Sequence, residues 1–275
     1  MDNYILIDSH VHLHPSWDLE QFLNCAHKNF QKFREAKNSP LPLTAVLMLT
    51  ESLNLNRFAQ IKNNIANSAA KTITSGKWQL SLTEEKNSLS CTLNNQDKII
   101  IIAGRQIISQ EGLEVLALGT EKEFKPGLSL NETIEQILEQ KALPVMTWGV
   151  GKWLGKRGKI IKKLIHSPYA PKIFLGDIGG RPFFWAFLSL FKQARAKKIK
   201  ILRGSDPLAL EPQIHKVGSF GFSLKAELNP QKPGKDLLNL LRKPDLKPKP
   251  YGKPANLLNF FTVQLQIRIK KNKKD

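Results

Sequence analysis

The sequence predicts an α/β protein with one main domain, in which repeated strand–helix units form a parallel sheet or a closed barrel. Three observations carry that expectation. Apolar runs too short for helices recur at 5–7, 43–49, 98–103, 143–147, 172–175 and 199–202, which is how strands covered on both faces read. Segments with helical apolar spacing lie between most of them, the alternation that builds a parallel sheet. Finally, polar and charged residues arrive abruptly where several runs end, as expected when the C-terminal ends of the strands share a site.

Each element has its own local reason. The first run leads into Asp8-Ser9-His10-Val11-His12, and Asp18 stands ready to cap a helix whose Leu19, Phe22, Leu23, Ala26, Phe30 and Phe33 repeat at helical spacing, with Gln21 at the capping-box position. Residues 43–49 follow as a buried strand and 52–70 as a second helix. Two stretches beginning at Trp78 and Ser88 then alternate with period two around a polar turn and predict an inserted β-hairpin. The four consecutive isoleucines within 98–103 mark the strongest buried strand, joined by a short polar loop to the strand at 113–119. Ser129 and Glu132 form a capping box for a helix carrying Ile134, Ile137 and Leu138. The rhythm continues as a strand at 143–147, a helix after Leu154, a strand at 172–175, a helix over 182–197 and a strand at 199–202, and fades near Phe222. Segment 229–254 holds six prolines around one short Leu-rich helix and reads as a linker wrapped on the surface. A last helix from Ala255 places Leu257, Leu258, Phe261, Leu265 and Ile269 on one face for docking, and Lys270 to Lys274 form a frayed basic tail. The expected division is therefore a main domain over 1–228 and an appended segment over 229–275.

Composition narrows the function classes. The formal net charge of +19 is uneven: residues 1–150 carry −2 and residues 151–275 carry +21. Such asymmetry points to an anionic partner, whether a phosphorylated substrate, nucleic acid or an anionic membrane surface, set against the plainer reading of lysines on solvated faces. Cys25 and Cys91 are too far apart in apolar contexts for a disulfide framework or a cysteine zinc site. The start lacks a basic n-region and no apolar run approaches the roughly 20 residues a bilayer needs, so a cytoplasmic protein without a transmembrane segment is expected.

Chemistry concentrates at four strand ends. Side chains at i and i+2 of a strand share a face, with Cα atoms about 7 Å apart, so the imidazoles of His10 and His12 can converge on one ion, and Asp8 falls on the same parity. The other three ends offer Gln106 with Glu111 and Glu114; Asp177 within Gly176-Asp177-Ile178-Gly179-Gly180-Arg181; and Asp206 within Gly204-Ser205-Asp206, with His215 shortly after. Polar groups landing repeatedly where apolar strands end is the pattern of a metal-dependent hydrolase, in which a metal acidifies bound water and a carboxylate on the last strand holds it and takes its proton. Asp206, His215 and Glu111 are the candidates for that proton chemistry, and Asp8, His10, His12, Glu114, Asp177 and Asp206 for ligation. After the strand at 143–147, Lys152, Lys156, Arg157 and Lys159 open a helix whose backbone amides could meet a phosphate, against the alternative of a solvated basic helix start. Trp148, Trp153 and Arg181 could floor the pocket, and Lys152, Lys156, Arg157 and Arg181 are the substrate-binding candidates.

Asp8-Ser-His10-Val-His12 resembles the first motif of the PHP (polymerase and histidinol phosphatase) superfamily, and Gly204-Ser205-Asp206 followed by Val217-Gly218 resembles its terminal motif. The similarity runs in order over about residues 4–225. It implies a distorted (β/α)7 TIM-like barrel with the hairpin inserted and the C-terminal helix as an extension, divalent ions (Zn, Mn or Fe), and hydrolysis of phosphoesters. Three positions depart from the family pattern: Gln106 stands where a ligating glutamate is expected, Trp148 where a ligating histidine usually sits, and Leu208 in place of the terminal histidine. Glutamine oxygen is a neutral, weaker ligand, tryptophan offers only a donor and leucine nothing, which reduces the implied site to one or two ions. The expected partner is a small anionic or phosphorylated substrate, with nucleic acid second. Two readings compete: a barrel that has lost catalysis and binds an anionic partner through its basic half, and a C–N hydrolase of the amidohydrolase type, for which the bridging lysine and further strand-end histidines are missing.

Overall fold

The computed structural model describes residues 4–36, 43–182, 188–256, 260, 262, 263 and 265. The first half of the chain forms β1 (Tyr4–Val11), α1 (Leu19–Glu35), β2 (Thr44–Leu49), α2 (Arg57–Asn67), β3 (Thr72–Ser75), β4 (Trp78–Leu82), β5 (Ser88–Leu93) and β6 (Asp97–Ile102). The second forms β7 (Gly104–Ile108), β8 (Glu114–Leu118), α3 (Leu130–Glu139), β9 (Leu143–Thr147), α4 (Gly155–Ile165), β10 (Phe174–Ile178), α5 (Leu188–Ala196), β11 (Ile201–Gly204), β12 (Gly221–Lys225), α6 (Pro233–Arg242) and β13 (Lys249–Tyr251). Local signals set the helix starts: the Asp18 carboxylate accepts from the Gln21 amide at 2.9 Å, and Ser129 with Glu132 completes a capping box. The expected helix over 182–197 begins at Leu188 where it is described, and residues 183–187 lie outside the described residues. Most of the predicted C-terminal helix also lies outside them.

The strands make two sheets instead of a closed (β/α)7 barrel, which corrects the architecture expected from the sequence. One has eight strands in the order β13-β12-β1-β2-β6-β5-β4-β3, the other five in the order β11-β10-β9-β8-β7. Only β1-β2-β6 and β9-β10-β11 run parallel; β12 returns antiparallel to β1, and β7, β8 and β9 alternate in direction. The physical cause lies at two seams. At Ala103 the chain passes directly from β6 into β7, so these consecutive strands enter different sheets. At the other seam β11 crosses β1 so closely that a Cβ on Gly204 would lie 2.3 Å from the His10 nitrogen, and the Asp206 amide donates to the His10 carbonyl at 2.8 Å where a ladder would otherwise run. The predicted hairpin is the middle of a longer antiparallel run, β3-β4-β5-β6.

Burial explains why both strand faces are apolar. An inner core of Ile5, Ile7, Val46, Ile100, Leu116 and Val145 joins the facing sides of the two sheets. Outside them, Phe22, Leu23 and Phe30 of α1 and Phe58 of α2 cover the large sheet, and Ile134, Ile161 and Phe191 cover the small one. The segment expected to be a surface linker contributes α6, whose Leu237, Leu238 and Leu241 are buried in the inner core. Its prolines and lysines lie beside a leucine stripe, and fully burying a leucine contributes roughly 1.5–3 kcal/mol. Among the described residues no helix is long and apolar enough to cross a membrane.

Candidate metal centre

The seam between β1 and β11 creates the site. Between Asp8 and Val11, β1 gains one residue relative to β2, a bulge of the kind that re-aims side chains beside functional sites. The simple alternation that would put Asp8 on the same face as the histidines does not survive it. Asp8 is wholly buried and its carboxylate binds backbone: Oδ1 accepts from the amides of Ser205 at 2.8 Å and His10 at 3.3 Å, and Oδ2 from Gly218 at 2.9 Å. Burial pushes its carboxyl up to about 7, against these three N–H groups that favour the charged form. Asp8 thus fastens β1 to the Gly204-Ser205-Asp206 corner and to the turn before β12. Gly218 sits there at φ +75°, where glycine is at ease.

Past the bulge, three ligand atoms converge. His10 Nε2 and His12 Nε2 are 3.2 Å apart, and each lies 3.4 Å from Asp206 Oδ1. These are the one group among the described residues in which at least three such donor atoms gather within 4.8 Å. Asp206 adopts a left-handed backbone at φ +48°, a strained conformation for a residue other than glycine and one that clusters at functional sites. Burial lowers the His10 imidazole to about 4, outweighing Asp206, so its ring is neutral near pH 7. The long 3.4 Å contact of His10 Nδ1 with Thr147 Oγ1 suits an Nδ1 proton, which leaves the Nε2 lone pair facing His12 and Asp206. Burial works against the Asp206 charge, but the two histidines and Lys152 hold its carboxyl far below the usual carboxylate range.

The residues fit a divalent ion. The Nε2 atoms of His10 and His12 and one Asp206 carboxylate oxygen point at one another within 3.4 Å, a donor set of the kind that a cation fills. Beside His10 lies the buried Gln106 Oε1, while Gln106 Nε2 donates to Glu114 Oε1 at 3.3 Å. Three protein ligands with room for water or substrate is the makeup of catalytic zinc sites. The room is a cleft of about 340 Å³ against Asp206, lined also by Glu114, Lys152, Ser205, Gln213 and Lys216.

The other sequence candidates are placed elsewhere. Glu111 accepts from the Leu130 amide at 3.0 Å and holds the start of α3. Asp177 forms a buried fork with Arg181 at 2.6 and 3.2 Å and an ion pair with Arg203 at 3.3 Å, so Arg181 is committed to a carboxylate. His215 faces Cys25 Sγ at 3.3 Å, on the side of its 3-10 turn that packs against α1. Arg157 ties down the carbonyls of Gly112 and Gly151, and Lys156 stands exposed at the start of α4. Trp148 and Trp153 are core residues beneath α4 and α5. Lys152 alone of the four substrate-binding candidates lines the cleft, where it pairs with Glu114, whose carboxyl burial raises against that ammonium. Sequence reasoning passed over Lys216, which lies in the field of Asp206. Its one signal is that it immediately precedes the Val217-Gly218 pair.

No protein-family model matches the sequence, and no curated protein is significantly similar to it. Solved structures do share the fold. PsfC from Pseudomonas syringae PB-5123 aligns over 98% of this chain and 99% of its own, with a TM-score of 0.58 and 13% identity. The lesion-specific endonuclease PfuEndoQ from Pyrococcus furiosus aligns over 90% of this chain with a TM-score of 0.50 and 14% identity, and the chain spans 58% of its length. At such identities the likeness is one of fold.

Proposed function

We propose that the protein is a metal-dependent hydrolase that acts on a phosphorylated small molecule, with His10, His12 and Asp206 as the metal ligands. The observation that carries this reading is the convergence of the three ligand atoms, 3.2–3.4 Å apart, beside a cleft edged by two lysines. A divalent ion bound there would supply an acidified water and polarise the scissile group. The chain supplies the rest. His10 and His12 would hold the ion through their Nε2 atoms, Asp206 balances its charge, and the Lys152 and Lys216 ammonium groups attract and orient an anion at the mouth. Glu114, raised by burial and paired with Lys152, is the carboxyl in that cleft suited to exchange a proton with water or a leaving group. The motif resemblance to the PHP superfamily points the same way, as does the fold likeness to an endonuclease.

The test couples metal content with turnover. The purified protein is expected to retain a divalent metal by elemental analysis, to lose it in the His10→Ala/His12→Ala double variant, and to release phosphate from a panel of phosphomonoesters only when loaded. Equal metal in wild type and double variant would end this reading. The excess of positive charge in residues 151–275 favours nucleic acid as a second substrate class. That reading expects DNA binding that weakens steeply with salt, since each neutralised phosphate releases counterions.

A further inference from the structure

Lys152 does not extend into solvent like the lysines of α4. After β9 the chain turns at Gly149, whose carbonyl accepts the Lys152 amide at 3.0 Å, and the lysine stem folds back over the glycine. A Cβ on Gly149 would lie 2.9 Å from Lys152 Cδ and 3.3 Å from Glu114 Oε2, so the missing side chain is the cradle in which the stem rests. The ammonium ends against Glu114 Oε1, the atom that also accepts from Gln106 Nε2. Glu114 and Asp206 line the same cleft, and Lys152 acts on His10 and Asp206 electrostatically.

We propose that Lys152 is a built-in cation of the centre, which occupies Glu114 and limits the histidine–aspartate trio to a single divalent ion. The inference rests on reading the trio as a metal site. Its logic is charge counting in a partly buried place, where like charges repel far more than in water. Asp206 and Glu114 bring two negative charges to the cleft, and Lys152 and Lys216 return two. One divalent ion leaves two excess positive charges, which a dianionic substrate neutralises, whereas a second ion would leave four and would need Glu114 as a ligand. Without the ammonium, Glu114 is freed, and with Gln106 Oε1 and Asp206 it offers a second set of oxygens.

The experiment counts ions. Metal-free protein is titrated with Mn²⁺ by calorimetry, and bound metal is measured after desalting, for wild type, Lys152→Met, Gly149→Ala and Lys152→Met/Glu114→Gln, each checked for folding by circular dichroism. Wild type is expected to bind one ion. Lys152→Met, which keeps the stem, and Gly149→Ala, which keeps the charge but displaces it, are each expected to bind two, and adding Glu114→Gln is expected to return the count to one. Two ions in the wild type, or one in a folded Lys152→Met or Gly149→Ala protein, would overturn the role of Lys152 and leave the metal reading standing. No ion in the wild type would instead sink the metal reading, and this inference with it.

Discussion

Replacing Asp8 separates the two jobs that its position beside the histidines suggests. In the structure its carboxylate is a backbone fastener: three amides, from His10, Ser205 and Gly218, end on it, and no part of Asp8 reaches solvent. Asp8→Ala leaves those three N–H groups buried without acceptors. Each orphaned buried donor costs about 1–3 kcal/mol, so the sum is about 3–6 kcal/mol after some relaxation. Asp8→Asn is predicted to be nearly as harmful, because whichever way the amide is turned its NH₂ meets an N–H donor. The assay is urea unfolding of both variants and wild type in excess chelator, followed by near-ultraviolet circular dichroism and tryptophan fluorescence. Chelation removes any contribution from a metal, so the full loss is expected to persist. A ligand role for Asp8 predicts the opposite, with large differences in loaded protein and small ones without metal. A loss below about 1 kcal/mol for Asp8→Ala in chelator would refute the fastener.

The pH dependence of the metal-free protein should carry the signature of His10. Its folded value of about 4 lies below its ordinary 6.5, so the unfolded chain binds that proton first and His10 contributes a fall of roughly 3 kcal/mol as pH drops from 6.5 to 4, opposed by Asp8, whose carboxyl at about 7 takes its proton first in the folded chain. His10→Gln should lack that slope in urea midpoints measured across the range, and parallel curves would contradict it. Gly204 offers no ligand atom itself, yet in Gly204→Ala the new Cβ would meet the His10 nitrogen at 2.3 Å and the His10 Cβ at 2.4 Å; at least a tenfold loss of metal affinity is expected by calorimetry, and unchanged binding would show that the crossing tolerates separation. Leu237→Ala, fully buried in the inner core, should destabilise by about 2–5 kcal/mol, and a surface value below 0.5 kcal/mol in denaturant unfolding would return residues 233–242 to the status of a wrapped linker.

Much of this molecule is legible in the chain because the legible parts are local. Apolar runs marked the buried strands, Asp18 and Ser129 marked helix starts, and the His10-x-His12 spacing with Gly204-Ser205-Asp206 marked three groups that the structure brings together. What escaped depends on distant partners. Glu111 meets the start of α3 nineteen residues on, and Asp177 meets Arg203 across two parallel strands; a carboxylate at a strand end reads alike whether it awaits an ion or a guanidinium. The expected closed barrel was wrong for the same reason, since strand runs do not state which neighbour they pair with, and the antiparallel return of β12 onto β1 has no local cue. Segment 229–254 misled because proline and lysine outnumber the three leucines that decide its burial.

The site lies where the sheets fail to join, and that follows from backbone chemistry. A continuous ladder between β1 and β11 would use the amides and carbonyls of both strands on each other and leave side chains to alternate across the faces. At this seam one ladder-like bond survives, from the Asp206 amide to the His10 carbonyl. The amides of His10, Ser205 and Gly218 must then find another acceptor, and Asp8 is that acceptor. Gly204 lets the two backbones touch, the bulge after Asp8 turns His10 and His12 the other way, and the left-handed turn at Asp206 brings its carboxylate over them. Each irregularity is costly alone: a bulge loses pairing, a left-handed aspartate costs of order 1–3 kcal/mol, and a buried carboxylate resists ionisation. They persist together because each satisfies a group that another leaves exposed. The ligand geometry is therefore held by Asp8, Gly204 and Gly218, none of which belongs to the trio.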